Sequence, residues 1–182
     1  MIEIREASKA DEAAVRHLIG EAFGDEEGAG IADLVDALVV DPTAQPVISL
    51  VAVIERETVG HILFSNVRID TARPAIQAAI LAPLSVSPEY QRRGIGGALV
   101  KEGLSKCRQA GCDLVFVLGH PSYYPKHGFI PAGVHDLDAP YPIAPQNADA
   151  CMVEELRPKA IESTSGRVIC ADSLMDPKYW RE

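Results

Sequence analysis

The chain has 182 residues, 47% of them hydrophobic and 24% charged, the proportions of a folded globule and not of a disordered or fibrous chain. That length suits one domain, or one domain with a short tail. The formal net charge of −9 argues against general nucleic-acid binding, because a protein that grips phosphodiester backbones carries a basic face. Ile2 and Ile4 alternate with Glu3 and Arg5 and predict a short half-buried strand. Ser8 is placed to cap a helix, with Asp11 three residues on as a capping-box variant. Val15, Leu18, Ile19, Ala22 and Phe23 mark one face of that helix, and Gly24 stops it. Asp25 to Gly30 reads as an acidic, flexible loop. A second helix follows, with Ile31, Leu34, Val35, Leu38 and Val39 on one face, ended by Pro42.

Val47–Ile54, Val59–Ile69 and Gln77–Val86 predict three strands in an antiparallel meander. Leu99, Val100, Gly103, Leu104 and Cys107 predict a helix ending at Gly111. Leu114–Leu118 is a continuous apolar run, as for a strand covered on both faces. A short helical turn around Tyr123 to His127 ends at Gly128, and Phe129 begins another strand. Asp136 to Asn147, with three prolines, reads as a loop, Cys151–Leu156 as a last core strand, and the rest as a weakly patterned tail. The class is α/β or α+β with one layered core, and no internal repeat is visible.

Cys107, Cys112, Cys151 and Cys170 show neither C-x-x-C spacing nor a histidine pair at zinc spacing. They read as free thiols in a reducing compartment, and no metal is expected. Charges near the N-terminus disfavour a signal peptide, and the longest apolar run, Ala78 to Leu84, is too short to cross a bilayer. The expectation is a cytoplasmic protein without membrane or nucleic-acid partners.

Two features of Ala82 to Val100 carry chemistry. Pro83 lies within an apolar strand, where it cannot donate a ladder hydrogen bond, so it predicts a bulge or a parting of strands. Backbone groups freed there can pair with an extended ligand. Gln91-Arg92-Arg93-Gly94-Ile95-Gly96-Gly97 then directly precedes a helix. Converging backbone N–H groups and the positive helix N-terminus make an anion cradle suited to a pyrophosphate. A P-loop is excluded, since no Gly-Lys-Ser/Thr follows, and a Rossmann fingerprint fails because Leu99 stands at its third glycine.

Gln91-Arg92-Arg93-Gly94-Ile95-Gly96 resembles the Q/R-x-x-G-x-G/A signature of the GNAT N-acetyltransferase superfamily. Ser122 to Phe129 is similar to that family's small-helix motif, in which a tyrosine stands four residues before Gly-Phe. The resemblance covers roughly residues 2 to 156. It implies a GNAT domain over 1–156, with a mixed sheet of about seven strands splayed between the fourth and fifth and helices on both faces. Residues 157–182 become a C-terminal extension, packed on the domain or at an interface, and Trp180 is its anchor or interface residue.

By the same resemblance the acyl donor is acetyl-CoA. Leu84, Ser85 and Val86 pair with the pantetheine arm, and the N–H groups of Arg92, Arg93, Gly94, Ile95, Gly96, Gly97 and Ala98, introduced by Gln91, hold the pyrophosphate. Leu118 and Gly119 form the other wall. Tyr124 matches the position of the acid that protonates the departing thiolate. Tyr123 is expected to point elsewhere. The base stays open among Glu26, Glu27, His120 and water. His61 reads as structural, and His127 departs from the apolar residue common before Gly-Phe. The acceptor is a primary amine on a small molecule or peptide, for which the acidic stretches Asp25–Glu27 and Asp136–Asp138 suit a cation. A homodimer is left open. The alternative is a catalytically silent domain that binds acyl-CoA as a sensor.

Overall fold

In the computed structural model, which describes residues 1–70 and 76–181, alternation along each strand sorts side chains onto two faces of one mixed sheet. The strands are β1 (Glu3–Glu6), β2 (Ile48–Ile54), β3 (Glu57–Asp70), β4 (Ala78–Val86), β5 (Leu114–Leu118), β6 (Ile130–Pro131), β7 (Leu137–Asp138), β8 (Cys151–Glu155) and β9 (Gly166–Ile169). The helices are α1 (Glu12–Phe23), α2 (Asp25–Val40) and α3 (Ile95–Gln109). The main path runs β1-β2-β3-β4-β5-β8-β6, while β9 joins β3 to β7. Pairing along the main path is antiparallel except between β4 and β5, which the α3 crossover makes parallel.

One core lies between the sheet and the α1–α2 pair. Val15, Ile19, Leu34, Val35 and Leu38 pack there on Val51, Leu63, Val67, Ile80 and Phe116. The other lies under α3, where Ile95, Leu99, Val100 and Leu104 meet Leu50, Ile62, Phe64, Leu81 and Val117. The mixed sheet with helices on both faces agrees with the expected class.

Four local expectations are corrected. Asp25 to Gly30 is not a loop: α2 begins at Asp25, and Gly28 is buried against α1, where a Cβ would stand 2.8 Å from Gly20 Cα. The missing side chain lets the two helices touch, and the three acids at 25–27 favour a helix N-terminus. Val39, expected on the buried face, is 46% exposed. The Asp136–Asn147 loop contains β7, and Cys151–Leu156 is not the last strand, because β9 pairs with the end of β3. Period-2 alternation is too short in β7 and β9 to read from sequence.

The segment after Arg157 contributes Val168, Cys170, Ala171, Leu174 and Trp180 to the α1–α2 core. Trp180 is 5% exposed, and its indole Nε1 donates to Leu174 O at 3.2 Å. Asp41, at the end of α2, accepts from the N–H and hydroxyl of both Thr43 and Ser173. Those bonds hold its carboxyl well below the ordinary range, Thr43 contributing most.

Candidate active site

β4 and β5 pair only from Ala78–Leu114 to Leu81–Val117. Beyond that rung β4 stays on β3, as far as Gly60–Val86, while β5 stays on β8. The ladder between β3 and β4 slips by one residue between Ile62 and Phe64, so Ala82 and Pro83 together oppose Leu63. This is the bulge that Pro83 predicts, and it re-aims the strand where it leaves β5. Leu84 and Val86 turn toward α3, whereas Ser85 is buried beneath α1 and α2.

The chain leaves β4 through a short turn at Pro88–Tyr90, and the Gln91 amide Nε2 donates to Val86 O at 3.1 Å, tying the loop to the strand end. Gly94 has φ +82°, a left-handed conformation that glycine adopts without strain, and it caps α3. The first helical N–H groups, those of Ile95, Gly96 and Gly97, have no carbonyl one turn earlier within the helix. Ala98 is the exception to the expected cradle: its N–H donates to Gly94 O at 3.0 Å and belongs to the helix, so the set of free donors ends at Gly97. Arg92 and Arg93 are exposed beside these groups, and the Arg93 guanidinium lies 5.1 Å from the Tyr90 ring centroid. Converging donors, two guanidiniums and an unpaired strand edge fit an elongated ligand with a pyrophosphate.

The turn after β5 closes the gap. His120 is exposed, and its carbonyl accepts the N–H groups of Tyr123 and Tyr124, starting the helical turn that ends at Gly128. Tyr124 is buried over Gly119, packed edge-on against Tyr123 at 5.0 Å and Phe129 at 5.6 Å. Tyr123 does point elsewhere, but to a telling place. Its hydroxyl lies against Gly96, where an added Cβ would stand 2.7 Å away. Burial raises its pKa, and Lys126 Nζ sits 4.1 Å from its ring centroid. The His127 ring packs on Gly97 and on Tyr123, so the polar replacement keeps the packing of the turn. Burial and Lys126 lower the His127 pKa. Tyr123 is the site residue that the sequence pattern overlooks; its only signal is adjacency to Tyr124.

Glu26 and Glu27 are exposed on the first turn of α2. A different titratable group is buried beside β4. His61, 1% exposed, pairs with Ser85 across the β3–β4 ladder, and its Nε2 lies 2.9 Å from Ser49 Oγ. Burial lowers its pKa to about 4, so it is neutral at pH 7. His61 and Ser49 line a cavity of about 760 Å³ between the start of α1, the end of α2 and β2, walled by Val15, Val35, Val39 and Val47. Sequence alternation places His61 on that face, but its partner Ser49 comes from another strand.

The sheet parts beside a glycine-capped helix, and comparison with known proteins identifies the family that shares this arrangement. The model of the acetyltransferase (GNAT) domain matches residues 3–132. An uncharacterized N-acetyltransferase of Escherichia coli K12, YjhQ, is 42% identical over 165 residues, covering 90% of this chain and 89% of that protein. The crystal structure of the GNAT-family N-acetyltransferase YhbS from Escherichia coli, in complex with CoA, superposes with a TM-score of 0.85 at 27% identity, covering 96% of this chain and 92% of that one. A GNAT-family acetyltransferase from Brucella melitensis, in complex with acetyl-CoA, gives 0.73 at 28% identity, covering 96% and 98%. The chain belongs to the GNAT acetyltransferase family, and it is an enzyme of the acyltransferase class.

Proposed function

We propose that this protein transfers the acetyl group of acetyl-CoA to a primary amine by direct attack in a ternary complex. The observation that supports it most is the parting of β4 from β5 after Leu81 and Val117, directly ahead of the Gly94-capped helix. Both similar structures named above carry CoA or acetyl-CoA. The unpaired edge of Leu84, Ser85 and Val86 takes the pantetheine arm, and the N–H groups from Arg92 to Gly97 take the pyrophosphate. Acetyl-CoA is a substrate here and supplies the activated carbonyl.

This chain's residues then have three tasks. A backbone N–H near Leu84 or Ser85 stabilises the oxyanion as charge develops on it. The Tyr124 hydroxyl protonates the departing thiolate, a transfer uphill by only about 1.5 pKa units, or about 2 kcal/mol, since tyrosine has a pKa of about 10 and a thiol about 8.5. The third task is to accept the proton of the acceptor ammonium, which is mostly charged at neutral pH. The acidic first turn of α2, Asp25–Glu27, favours a cationic acceptor at that end of the helix pair.

The experiment is a thiol-release screen with acetyl-CoA against amines, polyamines, amino acids and peptides, run beside calorimetry with CoA. Thiol release dependent on one amine class is expected. CoA binding without release for any class would instead establish a silent acyl-CoA sensor.

A further inference from the structure

The run Cys107-Arg108-Gln109-Ala110-Gly111-Cys112 ends α3 with a cap that sets two thiols side by side. The Cys112 N–H donates to Cys107 O at 3.0 Å, and the Gly111 N–H to Arg108 O at 3.1 Å. Gly111 has φ +90°, the left-handed conformation that lets the chain turn back there. This nested pair of bonds is the glycine C-cap that brings a side chain of the last helical turn against the side chain just after the glycine. The contact is commonly between two apolar groups. Here it joins two cysteines, both free, whose thiols act on each other as hydrogen-bond donor and acceptor. Their reach differs. Cys107 is 0% exposed in the core under α3, whereas Cys112 is half-buried at its edge.

We infer that Cys107 and Cys112 are a redox modification site, at which a low-molecular-weight disulfide links the two sulfurs. The Cys112 thiolate attacks one sulfur of the small disulfide, forming a mixed disulfide and releasing a thiolate that takes a proton from water. The Cys107 thiol then gives its proton to water and attacks the Cys112 sulfur, releasing the second thiolate, which is protonated in turn. The protein loses two S–H bonds and gains one S–S bond. It gives up two electrons and two protons, and the small disulfide takes up both to become two thiols. The product fastens the end of α3 to the segment that enters β5 at Leu114.

The surroundings give the two sulfurs different parts. The hydrogen bond from Cys107 favours the Cys112 thiolate, against burial and the charge of Asp113. Asp113 is itself paired with Arg157 at 2.6 Å. Thiolate character and access together make Cys112 the attacking sulfur, with Cys107 held behind it to resolve the mixed disulfide. Cys151 and Cys170 are the contrast within the same chain. Both are buried in the α1–α2 core, 7% and 5% exposed, and burial pushes their thiols up to about 11 and about 12. Neither offers an accessible thiolate to begin the exchange.

The test is intact mass and peptide mapping of the full chain, reduced, then held folded with oxidised glutathione, with its remaining thiols alkylated after unfolding. The wild type should lose two hydrogens and show one Cys107–Cys112 link, which dithiothreitol reverses. Cys151 and Cys170 should stay free. Cys107→Ser should stop at the mixed disulfide and keep one glutathione on Cys112. Cys112→Ser should lose the reaction altogether. Cys107→Ala replaces Cys107→Ser if the buried hydroxyl prevents folding. A wild type that keeps glutathione on Cys112, links other cysteines or stays fully reduced overturns the site. None of these readouts depends on CoA binding or on acetyl transfer, so the site and the transferase reading fail separately.

Discussion

The Tyr123 hydroxyl occupies the space that a side chain on Gly96 would need: a Cβ built there would stand 2.7 Å from Tyr123 Oη and 3.7 Å from Val86 Cγ2. The turn after β5 and the first turn of α3 are thus in contact through a position that only glycine can fill without displacement. Gly96→Glu places bulk and negative charge where the pyrophosphate would lie and pushes Tyr123 aside. Acetyl-CoA affinity should fall by at least tenfold, about 1.4 kcal/mol. Calorimetry on a folded variant checks this, and unchanged affinity would sink the cradle assignment.

A ligand that binds only the folded state stabilises it by about 2.7 kcal/mol at one hundred times its dissociation constant. CoA and acetyl-CoA should therefore raise the melting temperature, while NAD and ATP should not. The contrast tests the cradle against other phosphate ligands. A rise with NAD alone would revive a dinucleotide reading.

Acid stability has a local origin at the start of α1. The Asp11 carboxylate accepts two bonds from Arg5, at 2.8 and 2.9 Å, and two more from the N–H and hydroxyl of Ser8. Arg5 above all holds the Asp11 pKa far below the ordinary carboxylate range. Because the folded pKa is depressed, this contribution is complete above about pH 4, the unfolded value, and is lost as pH falls through the folded one. The Arg5 side chain is 41% exposed, so the expected contribution is on the order of 1 kcal/mol. Asp11→Asn should lower stability at pH 7 and flatten its decline below pH 4. Denaturant melts at pH 3, 5 and 7 measure both effects.

Much of the candidate site is legible because its residues are local in sequence. Gly94, Gly96 and the Gln91–Arg93 run are adjacent, and Pro83 announces the bulge by removing a donor within a strand. What the sequence hid depends on contacts distant along the chain. Tyr123 meets Gly96, His61 meets Ser49 and Ser85, and Gly28 meets Gly20, none of which a periodic pattern encodes. The helical Asp25–Gly30 stretch was obscured by its two glycines, which argue for a loop locally but serve helix contact at Gly28. The strand β9 escaped notice because its pairing with β3, at Ile169–Arg68 and Val168–Ile69, is what makes it a strand.

The C-terminal segment should be inseparable from the domain. Trp180 is buried with Leu174 and Val168 in the α1–α2 core. Trp180→Ala removes a large buried ring and should destabilise the protein by about 3–5 kcal/mol. Urea melts measure it. A loss below 1 kcal/mol would show that the segment docks without supporting the core.

Tyr124 carries the prediction that reaches furthest into the chemistry. Its ring is fixed by Gly119, Tyr123 and Phe129, so Tyr124→Phe removes the hydroxyl and leaves the ring in place. CoA affinity should change little, because the proposed contacts are backbone groups on β4 and at the start of α3. If the hydroxyl protonates the thiolate, turnover should fall by about 10²–10⁴-fold, the usual range for a general acid. The alkaline limb of the rate profile should move or vanish with it, since that limb reports ionisation of the acid. The measurement needs an acceptor from the thiol-release screen, or the slow hydrolysis of acetyl-CoA in its place. Wild-type turnover in Tyr124→Phe, with chemistry shown to be rate-limiting, would make Tyr124 a packing residue and leave the thiolate to take its proton from water or from the acceptor ammonium.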